Sequence, residues 1–127
     1  MSKFPDLYID ENGIFHEFHY DKIISKSCAM FVAEERNKLT NSRHPLLVKF
    51  KDLEGYAPET RDLHLDFVLK SVSALAYCVD IETAEGRRTK EVIERFFTIT
   101  PWPIPVEIFT NENEALSWLK KHVKKND

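Results

Sequence analysis

The stretch SALAYCV, residues 73–79, is apolar on both of its alternating faces. A strand with one wet face alternates apolar and polar side chains. A strand that is apolar throughout is covered on both sides, as in the middle of a sheet with helices layered above and below. A chain built around such a segment is an α/β domain, and the remaining segments should supply the flanking strands and the covering helices.

They do so in a regular order. Residues 6–10, DLYID, and 14–20, IFHEFHY, flank ENG, and Asn12-Gly13 is a two-residue hairpin signal because both residues tolerate positive φ. In the second strand Ile14, His16, Phe18 and Tyr20 share one face, and Phe15, Glu17 and His19 share the other. Ser25 or Ser27 caps a helix whose inner stripe is Ala29, Val32, Ala33, Arg36 and Leu39. TNSRHP breaks it, and LLVKF at 46–50 reads as a strand. Pro58 suits the first turn of a second helix, 59–70, with Leu63, Phe67 and Val68 inward.

After strand 73–79, residues 87–97 form a third helix with Val92, Ile93, Phe96 and Phe97 inward. In TPWPIP, Pro101 stops this helix after Phe97, and the alternating prolines hold the chain extended. A strand at 106–110 follows. Asn111 caps a last helix, ENEALSWLKKHVKK, with Glu112 and Glu114 in its first turn and lysines in its last, both favourable to the helix dipole. The order β-β-α-β-α-β-α-β-α implies a mixed five-stranded sheet with four helices, mainly parallel, with the N-terminal hairpin supplying an antiparallel edge.

The 127 residues are one domain's worth, and roughly two-thirds of the unfolded surface of such a chain is buried on folding. A net charge of −3 with basic residues clustered only at Lys120, Lys121, Lys124 and Lys125 argues against nucleic-acid binding. No window approaches ~18 consecutive apolar residues, so no membrane span is expected. Cys28 and Cys78 stand far apart in apolar or helical surroundings, which suits two free buried thiols in a reducing cytoplasm.

Catalytic and metal-binding patterns are absent from the sequence. His16, His19, His44, His64 and His122 show no converging spacing, and His16 and His19 point to opposite faces of their strand. They read as scattered surface or half-buried histidines. There is no GxSxG elbow. The glycines at 13, 55 and 86 stand alone, so neither a GxGxxG nor a P-loop cradle exists. Glu34-Glu35 and Glu112/Glu114 read as solvated helix faces. The expectation is a protein that is not an enzyme and carries no catalytic residues, metal or cofactor.

The C-terminal third, RFFTITPWPIPVEIFTNENEALSWL, resembles a SpoIIAA-like group of small bacterial STAS-like domains related to anti-sigma-factor antagonists. The resemblance rests on Phe96, Phe97, Pro105, Phe109, Thr110, Glu114, Ala115, Leu116, Trp118 and Leu119, and on the order of elements. It implies a binding or regulatory module, working with a protein partner or as a homodimer. The related antagonists carry a phosphorylatable serine at the start of the helix after the third strand. KDLEGYAPETRD has no serine there, and Thr60 is the nearest hydroxyl, so the phosphoswitch is not expected. A distant relation to the CRAL-TRIO lipid-transfer fold implies, as the alternative, a carrier or sensor of a small apolar ligand.

In parallel α/β sheets, ligands sit beyond the carboxyl ends of the strands. Here that rim gathers Asp52, Glu54 and Tyr56, with Arg87 and Arg88 beside it. With Thr60 and Trp102 these residues form the candidate interaction surface. Trp102, held between two prolines, either packs on the core or meets a partner.

Overall fold

The computed structural model describes residues 5–39, 43–58, 60, 71–99 and 104–123. The elements run β1 (Asp6–Ile9), β2 (Phe15–His19), β3 (Ile23–Ile24), α1 (Lys26–Leu39), β4 (His44–Phe50), β5 (Gly55–Tyr56), β6 (Val72–Cys78), α2 (Ala84–Ile99), β7 (Val106–Phe109) and α3 (Glu112–Lys120). Five strands make one sheet in the order β1-β2-β4-β6-β7. Only β1 runs antiparallel to its neighbour; the other pairs are parallel. The mixed five-stranded sheet with an antiparallel N-terminal edge is therefore as the sequence implies. Three helices lie among the described residues, against four expected. The expected helix at 59–70, with Leu63, Phe67 and Val68, falls outside the residues described apart from Thr60.

The hairpin differs from expectation in its turn. Asp10 N–H donates to Ile14 O at 2.9 Å and Gly13 N–H to Asp10 O at 3.1 Å, so the loop has three residues, Glu11 to Gly13. Only Gly13 takes a positive φ, 83°, and no non-glycine residue among those described does. Asn12 keeps an ordinary backbone because a three-residue loop needs the left-handed conformation at one position only. The Asp10 carboxylate, accepting from the Asn12 and Ile14 amides at 2.8 and 3.0 Å, holds the loop.

β6 is buried along both faces, as its composition requires. Its α1/α2 side carries Leu75 and Tyr77; its α3 side carries Ala74 and Ala76. β4 begins at His44, two residues earlier than expected, and includes Pro45. A proline lacks the ladder donor and sits in a central strand only where pairing is interrupted. The β4–β6 register shifts between His44 and Pro45, leaving Ser73 as an extra residue on β6.

One face of the sheet packs against α1 and α2. Phe15, Leu46, Val48, Leu75 and Tyr77 meet Cys28 of α1 and Ile93 of α2. Each such Leu or Ile contributes about 1.5–3 kcal/mol by leaving water. Val92 and Phe96 also turn inward as expected, while the Phe97 side chain is outside the described set. In α1, Ala29, Val32, Ala33 and Arg36 are buried as the stripe predicts, but Leu39 ends the helix half in solvent. Ser25 is the cap: its Oγ accepts from Cys28 N at 3.2 Å.

The other face carries α3, whose Ala115 and Leu119 pack on Leu47, Ala74 and Ala76. The small side chains of β6 let this helix sit close. Asn111 caps it, accepting from Glu114 N at 3.0 Å. It ends at Lys120, and a turn follows to Val123.

α2 starts three residues before the expected position and runs on to Ile99. Thr83 is responsible for the early start: its Oγ1 accepts from Gly86 N at 2.9 Å and its carbonyl from Arg87 N at 3.1 Å. Gly86 lies so near the preceding turn that a Cβ there would meet Asp80 O at 1.7 Å. The sequence also gave no sign of the small parallel sheet of β3 and β5, which pairs Ile23 with Gly55 and Ile24 with Tyr56. No helix among the described residues is long and apolar enough to cross a membrane.

Candidate functional site

Of the rim residues, Asp52 and Arg88 bond directly to each other, and Arg87 bonds to a backbone carbonyl of the neighbouring turn. Asp52, in the turn after β4, receives a fork from Arg88 of α2: Nη2 lies 2.6 and 2.5 Å from the two carboxylate oxygens, and Nε 3.1 Å from the first. Lys22 approaches the same carboxylate at 3.9 Å. The Arg88 guanidinium holds the Asp52 carboxyl below the usual carboxylate range, and Asp52 in turn raises Arg88. Arg87 Nη1 donates to Ile81 O at 2.9 Å. Leu53 N donates to Thr89 Oγ1 at 3.0 Å, tying the same turn to α2. Glu54 is exposed.

Tyr56 and Thr60 lie inward of this rim. The Tyr56 ring stacks on Phe96 with centroids 4.5 Å apart, its hydroxyl bonds to Tyr77, and burial pushes that hydroxyl well above its ordinary pKa. Thr60 is fully buried, and its hydroxyl donates to Ile24 O at 3.3 Å. No part of it is presented to a kinase. Trp102 lies outside the described residues.

A second constellation lies beneath α1, where the inward face of β2 meets the helix stripe. Glu17, His19 and Arg36 are all buried. Glu17 Oε1 bonds to His19 Nε2, and Glu17 Oε2 lies 3.5 Å from Arg36 Nη1, an ion pair held by charge rather than by a well-formed hydrogen bond. Cys28 Sγ sits 3.6 Å from His19 Nδ1. With the proton on Nε2, both His19 nitrogens are served: Cys28 donates to Nδ1 and Nε2–H donates to Glu17.

The order thiol, imidazole, carboxylate is that of a catalytic triad, but its electrostatics differ. Burial first, and the Glu17 charge second, push the Cys28 thiol up to about 12. Only 3% of the residue is exposed. A neutral thiol out of reach of solvent is no nucleophile. The enclosed space beside it, between Glu17, His19, Phe50, Tyr56 and Tyr77, is about 10 Å³, room for about one water.

The histidines are more buried than expected. His16, His19 and His44 are all buried, with His16 and His19 on opposite faces of β2 as strand geometry demands. His44 stacks on Phe15 at 5.0 Å, and His122 lies against Trp118 at 4.7 Å. Cys28 is buried, whereas Cys78 is only half-buried; both are free.

A third arrangement arises where α3 stops. α3 covers β4, β6 and β7, and among the described residues no helix lies over the β1–β2 half of that face. There Tyr8 stacks flat on His16, with centroids 4.4 Å apart and planes 9° apart, and Phe18 meets Tyr20 edge-on at 4.9 Å. Lys49, held by Glu112 of α3, closes one side, and Asp6, held by the Tyr20 hydroxyl, closes the other. The open hollow between them is about 260 Å³. Tyr8 is 55% exposed. His16 Nε2 bonds to Asp10 at 2.8 Å. Burial raises the Asp10 carboxyl, but the bonds from His16 and from the Ile14 and Asn12 amides outweigh it and leave the group below its usual range.

The sequence carried a signal for this surface. His16, Phe18 and Tyr20 share one face of their strand, and one short final helix cannot cover five strands.

A family model, Domain of unknown function (DUF7793), matches residues 7–123 of the chain. No curated protein and no solved structure matches it.

Proposed function

The chain belongs to this family of domains of unknown function, and we propose that it is a non-enzymatic interaction module whose contact surface is the uncovered β1–β2 end of the sheet. The carrying observation is the aromatic hollow walled by Tyr8, His16, Phe18 and Tyr20 on a face that α3 covers only in part. Rigid aromatics on a strand lose little freedom when they are covered, so they suit an interface. The order of β7 and α3 along the chain agrees with the STAS-like reading of the C-terminal third. The buried, hydrogen-bonded Thr60 supports a module without a phosphoswitch. Two free thiols fit a reducing cytoplasm. For the apolar-carrier alternative, the enclosed space beneath α1, lined by described residues, holds only about one water.

The test is affinity capture from an extract of the source cells with the wild-type chain and with Tyr8→Glu, both verified as folded by circular dichroism. A partner retained by the wild type and lost by the variant is expected. No partner, or equal retention by both chains, contradicts the reading.

A further inference from the structure

The two edges of the sheet are unlike. β7 is entered through Pro105, which has no backbone donor. β1 is an edge with exposed Tyr8 and Ile9. In an antiparallel pair, alternate residues bond to the partner strand and the others turn their N–H and C=O outward. Asp10 bonds inward to Ile14, so Tyr8 and Asp6 also face β2, and Leu7 and Ile9 present their backbone groups outward. Such an edge is a template for another extended chain.

The charges select the occupant. Asp6, Asp10 and the adjoining Glu11 line β1 and its turn, and among the described residues no lysine or arginine pairs with any of them. Asp6 and Asp10 share the face of Tyr8, two residues to either side. A second copy pairing antiparallel about Tyr8 would set Asp6 opposite Asp10, and twice over by symmetry. Like charges placed directly opposite are destabilising. An extended segment with Lys or Arg at alternate positions meets the same carboxylates favourably and lays its aliphatic stems over the Tyr8–His16 stack.

We infer that β1 accepts an extended, basic segment of a partner protein as a sixth strand, with backbone bonds to Leu7 and Ile9 and its cations facing Asp6 and Asp10. This rests on the interaction-module reading and names the chemistry of its partner.

The probes are two acetylated, amidated seven-residue peptides, one alternating Lys with Val and one with Glu in each Lys position. They are titrated into the full chain and followed through the backbone amides by NMR. The Lys peptide is expected to shift the Leu7 and Ile9 amides, to bind about tenfold or more tighter than the Glu peptide, and to weaken as salt rises. Asp6→Lys, which leaves Asp10 in place, should narrow the preference. If both peptides bind β1 equally, the basic-segment inference falls and the module reading stands. If neither reaches Leu7 and Ile9 while the Tyr8→Glu capture contrast holds, this inference alone falls. A free chain that sediments as a dimer with those two amides protected overturns it in favour of a second copy.

Discussion

Arg36 and Glu17 face each other across the α1–sheet interface at 3.5 Å, and both are almost wholly withdrawn from solvent, at 1% and 2% exposure of the side chain. Glu17 also carries His19, and His19 carries Cys28. The four groups form one chain of contacts beside the Tyr56 and Tyr77 hydroxyls in a mainly apolar layer, so each depends on its neighbours.

Removing one charge of that pair strands the other. Arg36→Met is expected to cost about 3–5 kcal/mol in urea unfolding, because Glu17 is left charged and buried. Arg36→Met combined with Glu17→Gln should be less destabilised than Arg36→Met alone. A double variant at least as unstable as the single one would show that the pairing is not what holds these residues.

The Cys28 thiol should be inert in the folded chain. At pH 8, a thiol pushed up to about 12 holds on the order of 1000-fold less thiolate than an ordinary cysteine. Iodoacetamide should label Cys78 first and Cys28 only on unfolding, as read by peptide mass spectrometry. Labelling of Cys28 at the rate of a free thiol would contradict the neutral assignment and revive the triad as chemistry.

Gly86 is fixed by the closeness of the Asp80 carbonyl. Gly86→Ala raises helix propensity by about 1 kcal/mol, yet its Cβ falls 1.7 Å from a backbone oxygen. A net loss of about 1–3 kcal/mol is expected from the forced shift. Gly55→Ala, with nothing within 4 Å of the new Cβ, serves as the comparison and should change stability far less. Equal effects at the two positions would remove the steric account.

The Asp52–Arg88 fork predicts a pH dependence with a definite sign. The folded carboxyl lies below its ordinary value of 3.8, so its stabilisation is fully present above the unfolded pKa and is lost as pH falls through the folded one. The difference in melting temperature between the wild type and Arg88→Met should be constant from neutral pH down to about pH 5. It should then shrink as the solution is made more acidic. A difference that stays unchanged at strongly acid pH would mean that Arg88 acts through packing of its stem instead.

Much of the fold was legible. The doubly apolar 73–79 run placed the central strand, Asn12-Gly13 placed the hairpin, and Asn111 placed the last helix. The separate faces of β2 and the presence of Arg36 in the α1 stripe were legible too. Their meeting was not, because periodicity says which residues share a face but not which helix lies on that face. β3 and β5 escaped because two-residue pairings carry no periodic signal. The early start of α2 escaped because Thr83 and Gly86 act through contacts with the preceding turn. Asp52, Arg87 and Arg88 could be placed near one another from the order of elements, but the Asp52–Arg88 fork depends on how closely α2 approaches the turn after β4. The aromatic hollow required knowing where α3 ends relative to β1 and β2.

The central claim is that β1 is an open edge awaiting a partner strand, and backbone hydrogen exchange of Leu7 and Ile9 tests it most directly. In the free chain both amides should exchange fast while Tyr8 N–H, bonded inward, is protected; with the captured partner bound, both should slow by about tenfold or more. Slow exchange at Leu7 and Ile9 in the free monomer, or no change on partner binding, would contradict the account.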